Sequence, residues 1–385
     1  MVISLAKRAT QAQEYYFSVK LAEVRKLLAA GHDVINMGIG NPDQAPSEAT
    51  IEALKNTASL TNTHGYQSYK GIPALRQGIS KWYERVYGVQ LDPEHEILPL
   101  IGSKEGITHI SLTFLDEGDE VLVPELGYPA YRAVSEMVGA TVIEYPLQEN
   151  NQWQPDWEAM KGIVSSKTKI LWLNYPHMPT GAPATRELFE NAVRFAKEHG
   201  ILLCHDNPYS LILNQKPPIS LLSIEGAKEV AIELNSMSKS HNMAGWRIGW
   251  LTGAKEYVDA VLTIKSNVDS GMFLGIQQAA VAALQNSEEW HAAQNAVYHS
   301  RLDAAKTFLK TLNCTFDSTQ EGMFLWAKLP DEVASAEQLV DDLLYQKHIF
   351  IAPGFIFGPK GQRYIRVSLC MPAERIWQAI ERLKA

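Results

Sequence analysis

The pattern that most narrows the fold is a helical apolar stripe that stops at a glycine and runs straight into a strand apolar on both faces. Leu188, Phe189, Ala192, Val193 and Ala196 recur at helical spacing, Gly200 follows as a terminator, and ILLC at 201–204 comes at once. A strand with no polar face must be covered on both sides, which parallel strands joined by helices achieve. Similar runs stand at 121–123, 170–173 and 230–234, with helical patterns between them from about Leu75 to Leu251. These features predict an α/β fold built on a mainly parallel sheet. Polar or aromatic residues follow each run: Tyr128, then Asn174 to Gly181, then His205 to Tyr209, then Ser236 to Lys239. Ligands of such sheets bind beyond the carboxyl ends of the strands, so four strand ends nominate one crevice.

The last third of the chain changes character. A helical stretch from Glu288 to Leu312 precedes a strand-like run from Met323 to Leu329 and a helix with Ala336, Leu339, Val340, Leu343 and Leu344 on one stripe. YIRVSL at 364–369 reads as another strand, and a short helix closes the chain. This predicts a smaller α+β domain. The amphipathic stretch from Tyr15 to Ala30, ended by Gly31, is expected to pack with it or to serve an oligomer contact. Residues 45–270 are expected to form the large domain, and 1–44 with 271–385 the small one; at 385 residues and 46% hydrophobic content, more than one core is available.

Several function classes are disfavoured. A formal charge of -8 without a long Lys/Arg run argues against a nucleic-acid partner. Cys204, Cys314 and Cys370 form no CxxC pair, so neither a disulfide framework nor a metal site is expected, and buried thiols in a reducing cytoplasm are the plain reading. The first fifteen residues hold no seven-residue apolar core and no run approaches 18 apolar residues, so no export signal and no membrane span are expected.

The chemistry centres on SMSKSHNMAGWR at 236–247. Lys239 follows an apolar run, where desolvation depresses an ammonium pKa by up to ~3–5 units, and a lysine made neutral there can form a Schiff base. Ser236, Ser238 and Arg247 are hydroxyls and a guanidinium suited to a phosphate ester beside it. Lysine plus phosphate site points to pyridoxal 5'-phosphate. Ser103, in IGSKEG at 101–106, would face an anion at a helix N-terminus, although Gly-Ser is also an ordinary cap. In HDNPY at 205–209, Asp206 would hold a pyridinium N–H and Tyr209 the phenolate oxygen of the same ring; a turn aspartate is the plainer alternative. Tyr128 would stack on a planar cofactor or simply pack in a core. Arg366, flanked by Ile365 and Val367, needs an anion partner, either a substrate α-carboxylate or a structural ion pair.

Taken together these residues resemble the class I aminotransferases of pyridoxal phosphate fold type I. The resemblance runs from about Asn36 to Arg366: MGIGNPD at 37–43, YQSYKG at 66–71, GSKEG at 102–106, YPAY at 128–131, PTG at 179–181, HDNPY, SMSK, GWRIG at 245–249 and YIRVS at 364–368, in that order. KSNVDSGMF at 265–273 is most similar to the subgroup of LL-diaminopimelate and aspartate aminotransferase-like enzymes. The resemblance implies a seven-stranded sheet flanked by helices. It implies that Lys239 is Schiff-base residue and proton shuttle, that Asp206, Tyr209, Tyr128 and Asn174 hold the ring, and that Ser103, Lys104, Ser236 and Arg247 surround the phosphate. Gly40 and Arg366 would take the substrate carboxylate. Tyr66, with Ser270 nearby, would reach the phosphate of a neighbouring subunit, making a homodimer the active unit.

One position departs from the family. Met178 stands where relatives carry asparagine, and a thioether has no N–H for the phenolate oxygen. A higher imine pKa is expected unless Asn174, His177 or water substitutes. The expected activity moves an amino group between an amino acid and a 2-oxo acid. Rivals on the same residues are a C–S β-lyase and a non-catalytic regulator holding the cofactor; a nicotinamide dehydrogenase is disfavoured by the lack of a GxGxxG motif in the right setting. For substrate choice, Lys104 favours a distal carboxylate unless it is committed to the phosphate, whereas Tyr15, Tyr16 and Phe17 with Ile39 favour an aromatic side chain.

Overall fold

A computed structural model describes residues 3–11 and 16–385 of the chain. Its centre is a seven-stranded sheet: β1 Ile97–Leu100, β2 Glu120–Pro124, β3 Thr141–Tyr145, β4 Thr168–Leu173, β5 Leu202–Asp206, β6 Ala231–Ser236 and β7 Gly249–Gly253. The spatial order is β1-β7-β6-β5-β4-β2-β3. All neighbours pair in parallel except β7, which is antiparallel to both β1 and β6. Ile170, Trp172, Leu203, Cys204, Ile232 and Leu234 are fully buried, as strands apolar on both faces require. Each such side chain contributes about 1.5–3 kcal/mol on leaving water.

Helix α4, Arg186–His199, carries the stripe seen in the sequence and ends at Gly200 in the left-handed conformation, φ 63°. Helices α2, Pro73–Tyr87, and α3, Ser103–Phe114, cover other parts of the sheet. Because β7 runs antiparallel to β6, residues 237–248 need only turn the chain back, and Ser236 pairs with Gly249 across the fold-back. The Lys239 segment is that connection.

A second, three-stranded antiparallel sheet has the order β9-β10-β8, with β8 Phe324–Lys328, β9 Ala352–Pro353 and β10 Tyr364–Ser368. Its core takes in Val340, Leu343 and Leu344 from the helix Ala336–Lys347 and Ile376 and Ile380 from Ala373–Lys384. The N-terminal helix, Tyr16–Ala29, joins this core through Val24, and its Lys20 pairs with Asp341 at 2.7 Å. It therefore packs within the chain, as one of the two expectations had it; Tyr15 lies outside the described residues. Ile35–Asn36 pairs in parallel with Ile349–Phe350, Met37 N–H donates to Phe350 O at 2.7 Å, and Ser368 N–H donates to Met37 O at 2.8 Å. These bonds lead residues 38–40 to the mouth between the two sheets. The helix Leu274–Ala283 leans the other way, with Ala280 and Ala283 in the core that holds Trp82 and Trp250. Among the described residues no helix is long and apolar enough to cross a membrane.

Candidate active site

The carboxyl ends of β2, β4, β5 and β6 open onto one cavity of about 280 Å³. Gly40, Ser103, Lys104, Tyr128, Asn174, Asp206, Tyr209, Ser236, Lys239, Arg247 and Arg366 all line it. Residues spread over more than three hundred positions thus converge, and the parallel strands are the reason: each ends at the same edge.

Lys239 sits in a one-turn helix, Met237–Ser240, capped by Ser236, whose hydroxyl accepts from Ser238 N at 3.1 Å. The Nζ donates to Gly40 O. Burial lowers its pKa below the ordinary lysine value, and the nearby Arg366 and Arg247 charges act in the same direction. That is the setting in which an amine becomes nucleophilic and basic near neutrality.

Asp206 ends β5 and is 4% exposed. The Tyr131 hydroxyl donates to its Oδ2 at 2.9 Å, while Oδ1 has no hydrogen-bond partner. Burial raises its pKa to about 6, against the opposing hydrogen bond from Tyr131. A buried carboxylate oxygen left bare toward a cavity is an acceptor waiting for a donor. Tyr131 is held in turn by stacking on Trp172, with centroids 5.0 Å apart and planes at 10°, and Tyr128 packs edge-on against it. Tyr209 meets the Phe324 ring edge-on at 5.9 Å.

The anion-facing end is built at the start of α3. Gly102 has φ +86°, and a Cβ there would lie 2.1 Å from Arg247 Nη2, so the guanidinium rests directly on the turn that precedes Ser103. Arg247 Nη1 donates to Ala244 O at 2.9 Å and approaches Ser238 Oγ at 3.4 Å. Helix N–H groups, the Ser103, Ser236 and Ser238 hydroxyls and Arg247 make a donor set of the kind that takes a phosphate ester.

Arg366 is 6% exposed on β10. Its guanidinium carbon lies 3.9 Å from the Phe324 ring centroid and 4.5 Å from that of Phe357. Nη2 donates to Gly38 O at 2.8 Å and Nη1 to Met178 Sδ at 3.3 Å. A Cβ at Gly40 would lie 2.3 Å from the Phe324 ring, which explains a glycine there. Asn174 lines the cavity, but its Nδ2 donates to Asp206 O at 2.7 Å and its Oδ1 accepts from Met178 N at 2.9 Å. His177 is engaged by Thr180 Oγ1 and Leu126 O, so both side chains beside Met178 are committed within the protein.

Tyr66 and Ser270 do not reach the cavity of their own chain. The Tyr66 ring is 94% exposed, and the neighbouring Gln67 forms a bridge to Gly271, beside Ser270. Of the aromatic residues near the N-terminus, Phe17 lines the cavity, Tyr16 packs edge-on against Phe355 at 4.9 Å, and Ile39 is half-buried away from the lining. The sequence reading missed Tyr131, Phe324 and Phe357. Tyr131 carried a signal, its place one turn after Tyr128 in YPAY; the two phenylalanines carried none.

A family model described as aminotransferase class I and II matches residues 32–383. The LL-diaminopimelate aminotransferase of Dehalococcoides mccartyi is 40% identical over 385 residues, covering 99% of this chain and 98% of that one. That of Gloeobacter violaceus is 39% identical, covering 99% and 97%. Among solved structures, substrate-bound BacF from Bacillus subtilis superposes with a TM-score of 0.95 at 34% identity, covering 100% and 98%. Thermus thermophilus aspartate aminotransferase with maleate gives 0.92 at 25% identity, covering 99% of each.

Proposed function

The chain belongs to the class I and II aminotransferases, and from that premise we propose that its cavity holds pyridoxal 5'-phosphate with Lys239 as the covalent and proton-moving residue. It is a transferase of amino groups between amino acids and 2-oxo acids. The observation that carries the site assignment is the pairing, in one cavity, of a half-buried lysine with a lowered pKa and a buried aspartate oxygen without a partner.

When bound, pyridoxal phosphate supplies an aldehyde that takes up the amine and a ring that draws electrons from it. Asp206 Oδ1 would accept the ring N–H, and the Tyr131 hydroxyl, donating to Oδ2, would keep the carboxylate aimed. Tyr209 and Tyr128 bound the ring, while Ser103, Lys104, Ser236 and Arg247 hold the phosphate. Arg366, clamped between two phenylalanine rings, takes the substrate α-carboxylate beside the Gly40 backbone. Lys239 Nζ, its pKa lowered by burial, would be the group that moves the substrate Cα proton.

We read residues 45–270 as the cofactor-holding unit and 1–44 with 271–385 as the smaller one, supported by the two sheets and their separate cores, except that the helix Leu274–Ala283 packs on the core of the larger sheet. A homodimer is supported by the bare Tyr66 ring and by the exposed Val268 and Ser270 beside the Gln67–Gly271 bridge. Three free thiols support a reducing cytoplasm. The relatives' names support an amino donor with a distal polar group, LL-diaminopimelate, glutamate or aspartate; Phe17 and Phe357 in the lining support an aromatic donor as the second reading. A half-reaction panel decides between them: loss of the aldehyde absorbance is followed with each amino acid in turn. Loss with none of them, or pyruvate and ammonia released without an acceptor, overturns the transaminase reading of this site.

A further inference from the structure

Beside the phosphate-facing turn, outside the cavity lining, three side chains converge. Glu105 and His109 stand one turn apart on α3, and Asp269 comes from the loop that follows the helix Lys255–Lys265. One ligand atom from each lies within 4.8 Å of the others. The two carboxylates are each already fixed by one oxygen: Ile101 N–H donates to Glu105 Oε2 at 2.5 Å, and Lys265 Nζ to Asp269 Oδ1 at 2.5 Å. Their second oxygens both face His109 Nε2, Glu105 Oε1 at 3.1 Å and Asp269 Oδ2 at 3.7 Å.

His109 is the independent observation. It is 1% exposed, its Nδ1 makes no hydrogen bond, and its Nε2 has only the Glu105 and Asp269 carboxylates before it, at 3.1 and 3.7 Å; Asp269 Oδ2 makes no hydrogen bond either. Buried polar atoms brought together this way carry a penalty unless a proton or a cation lies between them. The geometry points to a divalent-cation site made of Glu105 Oε1, His109 Nε2 and Asp269 Oδ2. Two carboxylate oxygens and one imidazole suit a borderline first-row ion, Zn²⁺ or Mn²⁺, more than the all-oxygen shells of Mg²⁺ or Ca²⁺. The engaged second oxygens act as the outer shell that orients such ligands. Lys265 neutralises one carboxylate, which leaves a single net negative charge and makes the site modest in affinity. Water completes the coordination.

Such an ion would tie the first turn of α3, which presents Ser103 and Lys104 to the cavity, to residues 266–271, and through the Gln67–Gly271 bridge to the Tyr66 segment. Its role is to stiffen the anion-holding end of the site. The inference does not rest on the cofactor reading, because metal binding is measured whether or not the enzyme turns over.

The test is equilibrium dialysis of the full-length, chelator-treated protein against Zn²⁺ and, separately, Mn²⁺, with thermal midpoints recorded alongside. One ion per chain and a raised midpoint are expected, and Glu105→Gln and Asp269→Asn should each weaken binding by at least about tenfold. Anomalous diffraction at the zinc edge from wild-type crystals requires no variant to fold: a peak between the three side chains is expected. No stoichiometric binding at millimolar metal, variants that bind as wild type does, or a peak elsewhere would overturn the site.

Discussion

Two buried carboxylates, one strand apart, are treated oppositely by this fold. Glu233 on β6 is wholly buried and saturated: the Tyr83 hydroxyl and Ser220 Oγ donate to Oε1 at 2.9 and 2.8 Å, and Leu221 N donates to Oε2 at 2.9 Å. His205 Nδ1 lies 2.9 Å from the same Oε2. Asp206 on β5 is nearly as buried, yet it has one donor and one bare oxygen. Both lie in the same sheet, so burial alone does not distinguish structure from chemistry. The difference is what faces them. Glu233 looks into a packed shell that supplies every partner, and Asp206 looks into a cavity that leaves one place for a ligand.

The comparison breaks first at Lys239. Its amine also faces the cavity, with the Gly40 carbonyl at its tip. Lys239→Ala should reduce multiple-turnover transamination by about 10⁴-fold, the upper end of what a positioned base contributes, while binding of pyridoxal phosphate through the residues proposed to hold its phosphate should persist. Sustained turnover in the variant would remove the basis of the site. Next in size is the contrast between the carboxylates. Glu233→Ala leaves a histidine, a tyrosine and a serine without their acceptor and should lower unfolding free energy by about 3–5 kcal/mol in denaturant titrations. Asp206→Asn should do the reverse in protein stripped of cofactor. The folded Asp206 pKa, about 6, lies above its ordinary 3.8, so the native state binds the proton more tightly and wild-type stability falls as pH rises from 3.8 through about 6. The variant lacks that loss, and the gap at pH 8 should be about 2–3 kcal/mol in its favour. Equal pH profiles would mean that Asp206 is not held as described.

How much of this was open to the sequence follows the same line. β4 and β5 were readable because they are apolar on both faces, β6 because Ile232 and Leu234 mark one apolar side, and Lys239, Asp206 and Arg366 because charge beside such runs is unusual. β7 was not: GWLTG begins and ends in glycine, which reads as turn, and its direction is set only by register with Ser236. The edge strand β3 mixes the exposed Thr141 with the buried Tyr145 and carries no clear alternation. Glu233 lay inside the run read as delivering Lys239, and nothing local announces that Tyr83 and Ser220 arrive from 150 and 13 residues away to meet it. The rings of Phe324 and Phe357 around Arg366 are likewise tertiary facts.

Met178 sharpens the comparison from the cavity side, since the wall there presents a thioether to Arg366 and offers the proposed ring no side-chain N–H. Asn174 and His177 are committed elsewhere. Met178→Asn should therefore lower the pKa read from the visible absorbance of the bound cofactor by about 1–2 units, the equivalent of a charge-assisted hydrogen bond of about 1.5–3 kcal/mol. No change would show that another donor already serves the oxygen.

The smallest effect should come from Tyr131, and it separates holding from reacting. Its hydroxyl touches only the oxygen of Asp206 turned away from the proposed ring, and its own ring is fixed by Trp172. Tyr131→Phe keeps the stacking and removes one hydrogen bond that stabilises the charged form of Asp206, so the aspartate pKa should rise by about one unit. In protein stripped of cofactor, the stability lost as Asp206 ionises should extend about one pH unit higher than in the wild type, while kcat at pH 8 should change little. A displaced stability profile with an unchanged rate marks Tyr131 as a residue that tunes Asp206. A uniform loss at every pH would instead mean that the ring of Tyr131 shapes the cavity, and that the bare oxygen of Asp206 owes its orientation to the backbone of β5 alone.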